Sequence, residues 1–299
     1  MDATKPAVDS ASLSTTVGNS TFRSVNGLQL HARVAGDPDD PLVVLLHGFP
    51  EFWYGWHEMI EPLVEDGFRV LAPDQRGYNR SEKPESVRAY RRPELARDVV
   101  ELIATESRDT AAVVGHDWGG IVAWELALRY PQVVDRLAVV NAPHPTAFRR
   151  QLLSNPDQIR RSWYAYTFQL PWLPERVCRY DDFRVLERAL RGTADSEAFS
   201  DADLERYRRA WRREGALTGM LNWYRANARY PSPPPRDRVD APTLVAWGEE
   251  DTALVPELAI DSYDHCTDGR LELFPDASHW LPREKPDRLA ELLCEHLDG

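Results

Sequence analysis

Residues 115–119 read Gly-His-Asp-Trp-Gly, which is the Gly-x-Ser-x-Gly pattern of a nucleophile elbow with aspartate in the position of the serine. In an elbow the chain leaves a strand, turns sharply and enters a helix, so that the central side chain stands exposed above the sheet. The apolar run at 111–114 is typical of a buried strand, and the pattern at 121–129 is typical of a helix. Asp117 is therefore a candidate nucleophile, although these residues alone also fit a turn in which Asp117 caps the helix.

Strands and helices alternate on both sides of this turn. The alternating pattern at 21–34, with Asn26-Gly27 in its middle, predicts a hairpin of two strands. Further strands are predicted at 42–46, 68–72, 137–141, 243–247 and 270–274, and helices at 56–65, 93–105 and 286–297. This order predicts an α/β fold with a mostly parallel sheet between helices, in which ligands bind at the carboxyl ends of the strands.

The region 145–235 differs from the rest of the chain. It contains helical stretches dense in Arg, Tyr and Trp and no convincing strand, and a proline-rich linker ends it at 231–235. We interpret it as a helical cap inserted into the α/β core, which then comprises 21–144 and 236–299. Residues 1–20 are predicted to form a flexible polar N-terminus.

The composition limits the classes of function. A hydrophobic content of 42% with ten Trp is typical of a well-packed globular protein, and the net charge of -12 argues against a nucleic-acid or anionic-membrane partner. The three Cys are too few and too widely spaced for a disulfide framework or a cysteine metal site, so we expect no metal and no cofactor. The sequence shows neither a signal-peptide pattern nor a run of ~20 apolar residues, which favours a cytoplasmic protein. Both a monomer and a homodimer stay open.

Two further polar residues follow predicted strands, in the order that one class of hydrolase triad needs. Asp251 comes after the strand at 243–247, and His279 comes after the strand at 270–274. The carboxyl ends of parallel strands meet at one edge of the sheet, so an acid and a histidine there can converge on Asp117. Taken singly, Asp251 also fits a helix cap and His279 an ordinary loop histidine. Neighbouring carboxylates are alternatives to Asp251 that are more easily interpreted as solvated loop charge: Glu249, Glu250 and Asp276.

Four motifs give the chain a resemblance to the α/β-hydrolases of the epoxide hydrolase group, over nearly its whole length after Phe22. They are similar to the family's oxyanion loop, the motif after its next strand, its nucleophile motif and its entry to the cap: 47–56, 74–81, 115–120 and 141–145. One departure is Asn79-Arg80, where a small residue such as glycine commonly follows the tyrosine. We expect this departure to alter the entrance to the site and to leave the chemistry intact.

The resemblance also implies a pair of ring-opening tyrosines in the cap. Residues 162–169 and 220–225 are similar to the two segments that hold this pair in the family, which implies Tyr164 and Tyr224. Tyr166 remains an alternative for the first position. Any one cap tyrosine could instead pack against neighbouring Trp side chains, but the two together favour epoxide chemistry over a generic hydrolase.

These residue types predict a two-step reaction between a small epoxide and water. Asp117, ionised at neutral pH, attacks an epoxide carbon while the two phenols protonate the departing oxygen. His279, oriented by Asp251, then activates water to hydrolyse the ester, and the backbone N–H groups of Phe49 and Trp118 stabilise the oxyanion. An apolar pocket lining predicts an apolar or aromatic epoxide. The predicted lining residues are Trp53, Trp118, Phe168 and Trp280.

A haloalkane dehalogenase is the main alternative, because it would use the same three residues and the Trp118 indole as a halide donor. The tyrosine pair is then unexplained, and Phe49 stands where these enzymes often carry asparagine. A serine esterase is disfavoured by Asp117 itself. A non-catalytic ligand-binding protein on the same scaffold is a further alternative, against which the intact nucleophile, acid and base argue.

Overall fold

An eight-stranded sheet lies at the centre of the protein, as seen in a computed structural model that describes residues 18–299. Its strands are β1 (Asn19–Val25), β2 (Leu28–Ala35), β3 (Leu42–Leu46), β4 (Arg69–Pro73), β5 (Ala111–His116), β6 (Val134–Val140), β7 (Thr243–Gly248) and β8 (Gly269–Phe274). Their order across the sheet is β1-β2-β4-β3-β5-β6-β7-β8. The pairs β1–β2 and β2–β4 are antiparallel, and the remaining neighbours are parallel. This confirms the predicted α/β fold with a mostly parallel sheet.

Helices flank this sheet, with α1 packed on α12 and α2 packed on α3. The helices in the described part of the chain are α1 (His57–Glu65), α2 (Arg92–Thr105), α3 (Trp118–Arg129), α4 (Pro145–Ser154), α5 (Pro156–Arg161), α6 (Trp163–Thr167), α7 (Leu173–Thr193), α8 (Asp201–Trp211), α9 (Ala216–Arg229), α10 (Glu257–Tyr263), α11 (Leu281–Glu284) and α12 (Pro286–Asp298). Between residues 18 and 299, none of them combines the length and the apolar character that a membrane crossing requires.

The predicted hairpin is confirmed, since β1 and β2 pair through a turn at Asn26-Gly27 in which both residues have positive φ. Strand β1 begins inside the segment 1–20 that we expected to be flexible, because Asn19 already pairs with Val34. The rest of that expectation concerns residues 1–17, which lie outside the described residues.

The central strands read as continuous apolar runs because both of their faces are buried. Every residue of Leu42–Leu46 in β3 is buried, and so is every residue of Ala111–His116 in β5. Each Leu or Val side chain removed from water in such strands contributes about 1.5–3 kcal/mol. The sheet is therefore a rigid base from which the loops at its carboxyl edge project.

Helices α4 to α9 lie between β6 and β7 in the chain, in the region predicted to be a cap, and they pack over loops that follow the central strands. Indole N–H groups tie them down: Trp211 donates to the carbonyl of Pro50 at 2.6 Å, and Trp223 donates to the carbonyl of Arg76 at 3.0 Å. Helix α7 is broken at 180–183, where the backbone angles are not helical. The cap therefore covers the edge of the sheet at which β3, β4 and β5 end.

Glycine lets the elbow between β5 and α3 pack tightly against strand β3. A Cβ atom on Gly119 would overlap the backbone carbonyl of Leu46, and one on Gly115 would overlap the carbonyl of Gly119. These neighbours are backbone atoms inside the sheet, so they cannot move aside. The first helical turn therefore lies directly against β3 only because both positions lack a side chain.

We expect Gly119→Ala to destabilise the protein by about 3 kcal/mol, at the upper end of the usual cost of overpacking. Gly192→Ala is the control: that glycine lies in α7 with nothing within 4 Å of an added Cβ, so alanine there should stabilise the helix by ~0.5–1 kcal/mol. Urea unfolding followed by circular dichroism measures both changes. Equal midpoints for the two variants would contradict the packing described for the elbow.

Candidate active site

Asp117 stands at the turn between β5 and α3 with φ of 50° and ψ of -121°. These angles are unfavourable for a residue with a side chain and cost on the order of 1–3 kcal/mol, so the surrounding packing must enforce them. The loop after β3 passes directly against the carboxylate, because a Cβ on Gly48 would lie 2.6 Å from Asp117 Oδ1. The structure thus presents the carboxylate at the carboxyl edge of the sheet, half-buried under the cap.

One oxygen of Asp117 is held by backbone. The N–H of Phe49 donates to Asp117 Oδ1 at 2.7 Å. Trp118 is the first residue of α3, so its N–H has no intrahelical acceptor and belongs to the positive end of the helix dipole. The two N–H groups predicted to form an oxyanion hole therefore lie on the two segments that flank this carboxylate.

The other oxygen of Asp117 faces a histidine. His279 Nε2 lies 3.6 Å from Asp117 Oδ2, and its Nδ1 lies 2.7 Å from Asp251 Oδ2. Asp251 is fully enclosed, and it accepts hydrogen bonds from the Asn141 side chain at 2.8 Å and from the Ala253 N–H at 2.7 Å. The structure therefore brings the three residues of the predicted triad together in the order Asp117, His279, Asp251.

The alternative carboxylates lie elsewhere. Glu249 and Glu250 are exposed, and Asp276 pairs with Lys285 at 2.7 Å with most of its side chain in solvent. Among these four acidic residues, Asp251 is the one whose carboxylate contacts the ring of His279.

The charges of Asp251 and Asp117 determine the protonation of the His279 ring. Burial disfavours an imidazolium, but the carboxylates of Asp251 and Asp117 outweigh it and hold the pKa of His279 well above its usual value. Burial would likewise raise the pKa of Asp251, yet the charge and hydrogen bond of His279 lower it. At neutral pH the resting site therefore holds an imidazolium between two carboxylates.

A cluster of aromatic rings covers the carboxylate from the cap side, with Tyr224 of α9 at its centre. The Tyr224 ring lies 5.0 Å from Trp118, 5.3 Å from Phe49 and 5.9 Å from Tyr164, centroid to centroid. Phe168 packs on it at 5.0 Å. Edge-to-face contacts of this kind stabilise a defined arrangement of the rings.

Both cap tyrosines of the predicted pair lie in this cluster. Burial and the charge of Asp117 raise the pKa of the Tyr164 phenol, and burial together with the Tyr164 and Asp117 groups raises the pKa of Tyr224. Both phenols are therefore protonated donors at neutral pH. Tyr166, the alternative for the first position, lies on the outer side of α6 with 57% of its surface exposed.

Two of the predicted lining residues lie behind the site or away from it. The Trp280 ring packs 5.1 Å from His279, and its indole N–H donates to Thr193 at 2.9 Å, so it supports the histidine from behind. Trp53 packs on Phe52 and under the guanidinium of Arg33. Trp53 begins a short 3-10 helix and is buried, and the structure does not bring its ring into the cluster around Tyr224.

A buried charged network that the sequence analysis did not identify lies beside the triad. His116 Nδ1 is 3.0 Å from Glu51, and His116 Nε2 is 2.8 Å from the backbone carbonyl of His279. His116 therefore bridges the Glu51 carboxylate and the backbone of His279. Burial opposes ionisation of Glu51, but His116 and the Tyr207 hydroxyl, which donates at 2.9 Å, lower its pKa.

This network joins four parts of the protein. Glu51 follows the β3 loop, His116 precedes the nucleophile, His279 carries the facing ring and Tyr207 belongs to α8 of the cap. Glu51 and His116 both stand inside sequence motifs, at 47–56 and 115–120. Neither motif reveals that the two side chains meet in space.

A separate group of polar residues lies near the start of α4, where potential ligand atoms of His144, Asp237 and His265 come within 4.8 Å of one another. The two imidazole rings stack 4.0 Å apart with planes only 13° from parallel. The lone pairs of stacked rings point side by side, so they do not converge as in a tetrahedral metal site. The expectation that the protein needs no metal stays a prediction.

Comparisons with known proteins agree with the fold and identify relatives of the chain. Residues 41–286 match the family model of the alpha/beta hydrolase fold. AB hydrolase superfamily protein YfhM of Bacillus subtilis is 44% identical over 277 residues, which cover 92% of this chain and 96% of that protein. Epoxide hydrolase 1 of Caenorhabditis elegans is 36% identical over 286 residues, covering 94% of this chain and 70% of that protein. The crystal structure of a Bacillus megaterium epoxide hydrolase in complex with an inhibitor has a TM-score of 0.86 at 28% identity and covers 93% of this chain and 100% of that chain.

We expect Asp251→Asn to lower the pKa of His279, because it removes a carboxylate that stabilises the imidazolium. In the wild type, this contribution to stability is complete below the unfolded-state pKa of ~6.5 and is lost as the pH rises through the raised folded-state pKa. In the variant the loss still begins near the unfolded-state pKa, but it should be complete at lower pH and smaller in total. NMR titration of the histidine ring protons measures the pKa, and Asp276→Asn is the control with an exposed carboxylate. An unchanged His279 pKa in Asp251→Asn would show that Asp251 does not charge the ring.

Proposed function

The chain belongs to the epoxide hydrolase group of the α/β-hydrolase family, and on that premise we propose that it adds water to an apolar or aromatic epoxide through an ester on Asp117. The observation that carries this proposal is the pair of protonated phenols, Tyr164 and Tyr224, packed above a carboxylate. An epoxide is strained and electrophilic at carbon, but its leaving group is an alkoxide. It therefore needs both an ionised nucleophile and an acid.

The first step opens the ring. Asp117 Oδ1 accepts from the Phe49 N–H at 2.7 Å, which leaves Oδ2 to attack an epoxide carbon. As the new C–O bond forms, the ring C–O bond breaks, and the departing oxygen takes a proton from the phenol of Tyr164 or Tyr224. The raised pKa values keep both phenols protonated until an alkoxide, a far stronger base, develops beside them.

The second step hydrolyses the ester, and the charges of the site support a change of role for His279. In the free enzyme both Asp117 and Asp251 raise the pKa of His279. Esterification neutralises Asp117 and removes one of these two charges, so the pKa of His279 falls. The ring then releases its proton, which restores the phenol that protonated the departing oxygen, and the neutral ring can accept a proton. Water then attacks the carbonyl carbon of the ester while His279 Nε2 takes its proton.

The tetrahedral intermediate carries its negative charge on Asp117 Oδ1. The Phe49 N–H already points at this oxygen, and the Trp118 N–H at the start of α3 is the second donor. When the intermediate collapses, the ester C–O bond breaks, His279 gives its proton to the departing alkoxide, and the diol leaves. The acid formed on Asp117 then passes its proton to His279, which restores the resting site. The oxygen taken from water stays in the Asp117 carboxylate.

The rings around the carboxylate support an apolar substrate. Phe49, Trp118 and Phe168 present aromatic surface beside the two tyrosines, and such surface binds apolar groups by burial and edge-to-face contact. A haloalkane would fit the same nucleophile, but halide leaves without a proton. The two phenols next to Asp117 are therefore an argument for an epoxide.

We expect Tyr164→Phe combined with Tyr224→Phe to lower kcat/KM on styrene oxide by ~100-fold or more, the usual range of general acid catalysis. Tyr166→Phe is the matched control, because the Tyr166 side chain is exposed on the same helix as Tyr164. A panel of epoxides and haloalkanes should be offered to all variants. Rapid halide release, together with a double variant that loses nothing on epoxides, would favour the dehalogenase and overturn the proposal.

We expect His279→Gln to accumulate the ester, because ring opening does not need the base but hydrolysis does. Intact-protein mass spectrometry after mixing with a glycidyl ether should show the protein mass increased by that of one substrate molecule. Asp117→Asn should show no adduct under the same conditions. If His279→Gln neither traps an adduct nor loses turnover, the base has been misassigned.

A further inference from the structure

A serine, a histidine and an aspartate that take no part in the epoxide reaction are hydrogen-bonded in series at the edge of the sheet. Ser20 Oγ lies 2.8 Å from His31 Nε2, and His31 Nδ1 lies 2.7 Å from Asp74 Oδ2. Ser20 is on β1, His31 is on β2 and Asp74 follows β4. These are the distances of a nucleophile, its general base and the acid that orients the base.

The histidine and the aspartate are buried, whereas the serine is exposed and can be reached by a substrate. His31 is 2% exposed and Asp74 is 0% exposed, whereas Ser20 is exposed to solvent. Because Asp74 accepts from Nδ1–H, Nε2 is the ring nitrogen of His31 that faces the Ser20 hydroxyl. Asp74 also accepts from the Trp53 N–H at 3.2 Å and the Asn79 amide at 2.9 Å. The orienting carboxylate is therefore fixed in place.

One guanidinium contacts the serine, and a second arginine is its neighbour across the strand pair. Ser20 is the cross-strand partner of Arg33 in the antiparallel pair of β1 and β2, so the two side chains share one face of the sheet. Arg80 Nη1 donates to Ser20 Oγ at 2.9 Å and lies 3.2 Å from His31 Nε2, and its guanidinium stacks on the Phe22 ring at 5.1 Å. Arg33 Nε is buried and has no hydrogen-bond partner among residues 18–299.

Arg80 stands in the pair Asn79-Arg80, where the chain departs from the pattern of the family it resembles. The epoxide mechanism does not use this departure. In the structure the Asn79 amide holds Asp74 and the Arg80 guanidinium reaches Ser20, so both substituted side chains contact the serine group. Two neighbouring cations at an exposed hydroxyl favour a ligand that carries negative charge.

We propose that Ser20, His31 and Asp74 form a second nucleophilic site, which hydrolyses small esters whose acyl chain ends in a carboxylate. Ser20 Oγ forms a bond to the acyl carbon while its proton passes to His31 Nε2. The oxyanion accepts from Arg80 Nη1, the ester C–O bond breaks, and the leaving alcohol takes the proton from His31. Water then attacks the acyl-serine with the same base, which releases the acid and restores Ser20.

Covalent labelling tests the nucleophile directly. The Asp117→Asn variant is used, because it lacks the other proposed nucleophile, and it is treated with a fluorophosphonate probe. Trypsin cleavage after Arg23 separates Ser20 from Ser24, an exposed serine on the same strand whose side-chain partner is Gln29. Fragment mass spectra should locate the label on Ser20, at least tenfold above Ser24, and His31→Gln should reduce it tenfold or more.

Ester turnover tests the substrate class, again in the Asp117→Asn background. We expect Ser20→Ala to lower hydrolysis of para-nitrophenyl hydrogen succinate at least tenfold relative to Ser24→Ala. Arg80→Gln should lower hydrolysis of both the succinate ester and para-nitrophenyl acetate, because it removes the oxyanion donor, and Arg33→Gln should reduce the preference for the succinate ester. Circular dichroism and the thermal midpoint check that each variant is folded. The proposal is overturned if Ser20 is labelled no more than Ser24, or if Ser20→Ala and Ser24→Ala hydrolyse the succinate ester at equal rates.

Discussion

The hydrogen bond from the Phe49 N–H to one oxygen of Asp117 is the constraint on which the site depends. It exists because Gly48 lets the loop after β3 pass against the carboxylate, and because Asp117 keeps a positive φ at the end of β5. The bond makes the two carboxylate oxygens unequal, since one is held by backbone and the other faces His279 at 3.6 Å. Attack, oxyanion stabilisation and ester hydrolysis all follow from this inequality in the proposed mechanism. The strain at Asp117 is sustained by the buried strands on either side of it.

Electrostatics links this carboxylate to the rest of the molecule. Asp117 and Asp251 together raise the pKa of His279, so in the proposed mechanism the charge on Asp117 determines whether His279 can act as a base. The Glu51–His116 pair lies directly behind, where His116 donates to the backbone of His279. Through the Tyr207 hydroxyl the same pair reaches the cap. The cap therefore contributes both the phenols near Asp117 and one anchor of the network that contacts the backbone of His279.

The sequence predicted the fold because the elbow and the strand runs are local patterns, and the carboxyl ends of parallel strands must meet at one edge. It could not distinguish Tyr164 from Tyr166 by periodicity, because α6 has only five residues and the solvent-facing side is defined by its neighbours. It also missed that Trp53 packs toward Arg33 and that Glu51 pairs with His116, since both depend on contacts between distant segments. Ser20 was assigned to a flexible terminus because its partners, on β2 and in the Arg80 loop, are likewise remote in sequence.

The fate of the oxygen atom of water tests the ester mechanism most directly. In a single turnover with enzyme in excess and heavy-oxygen water, the ester mechanism predicts that the label enters the Asp117 carboxylate and that the first diol formed is unlabelled. The peptide containing Asp117 should carry one heavy oxygen, which appears in the diol of a later turnover in ordinary water. Heavy oxygen found directly in the first diol, with an unlabelled Asp117, would contradict the account.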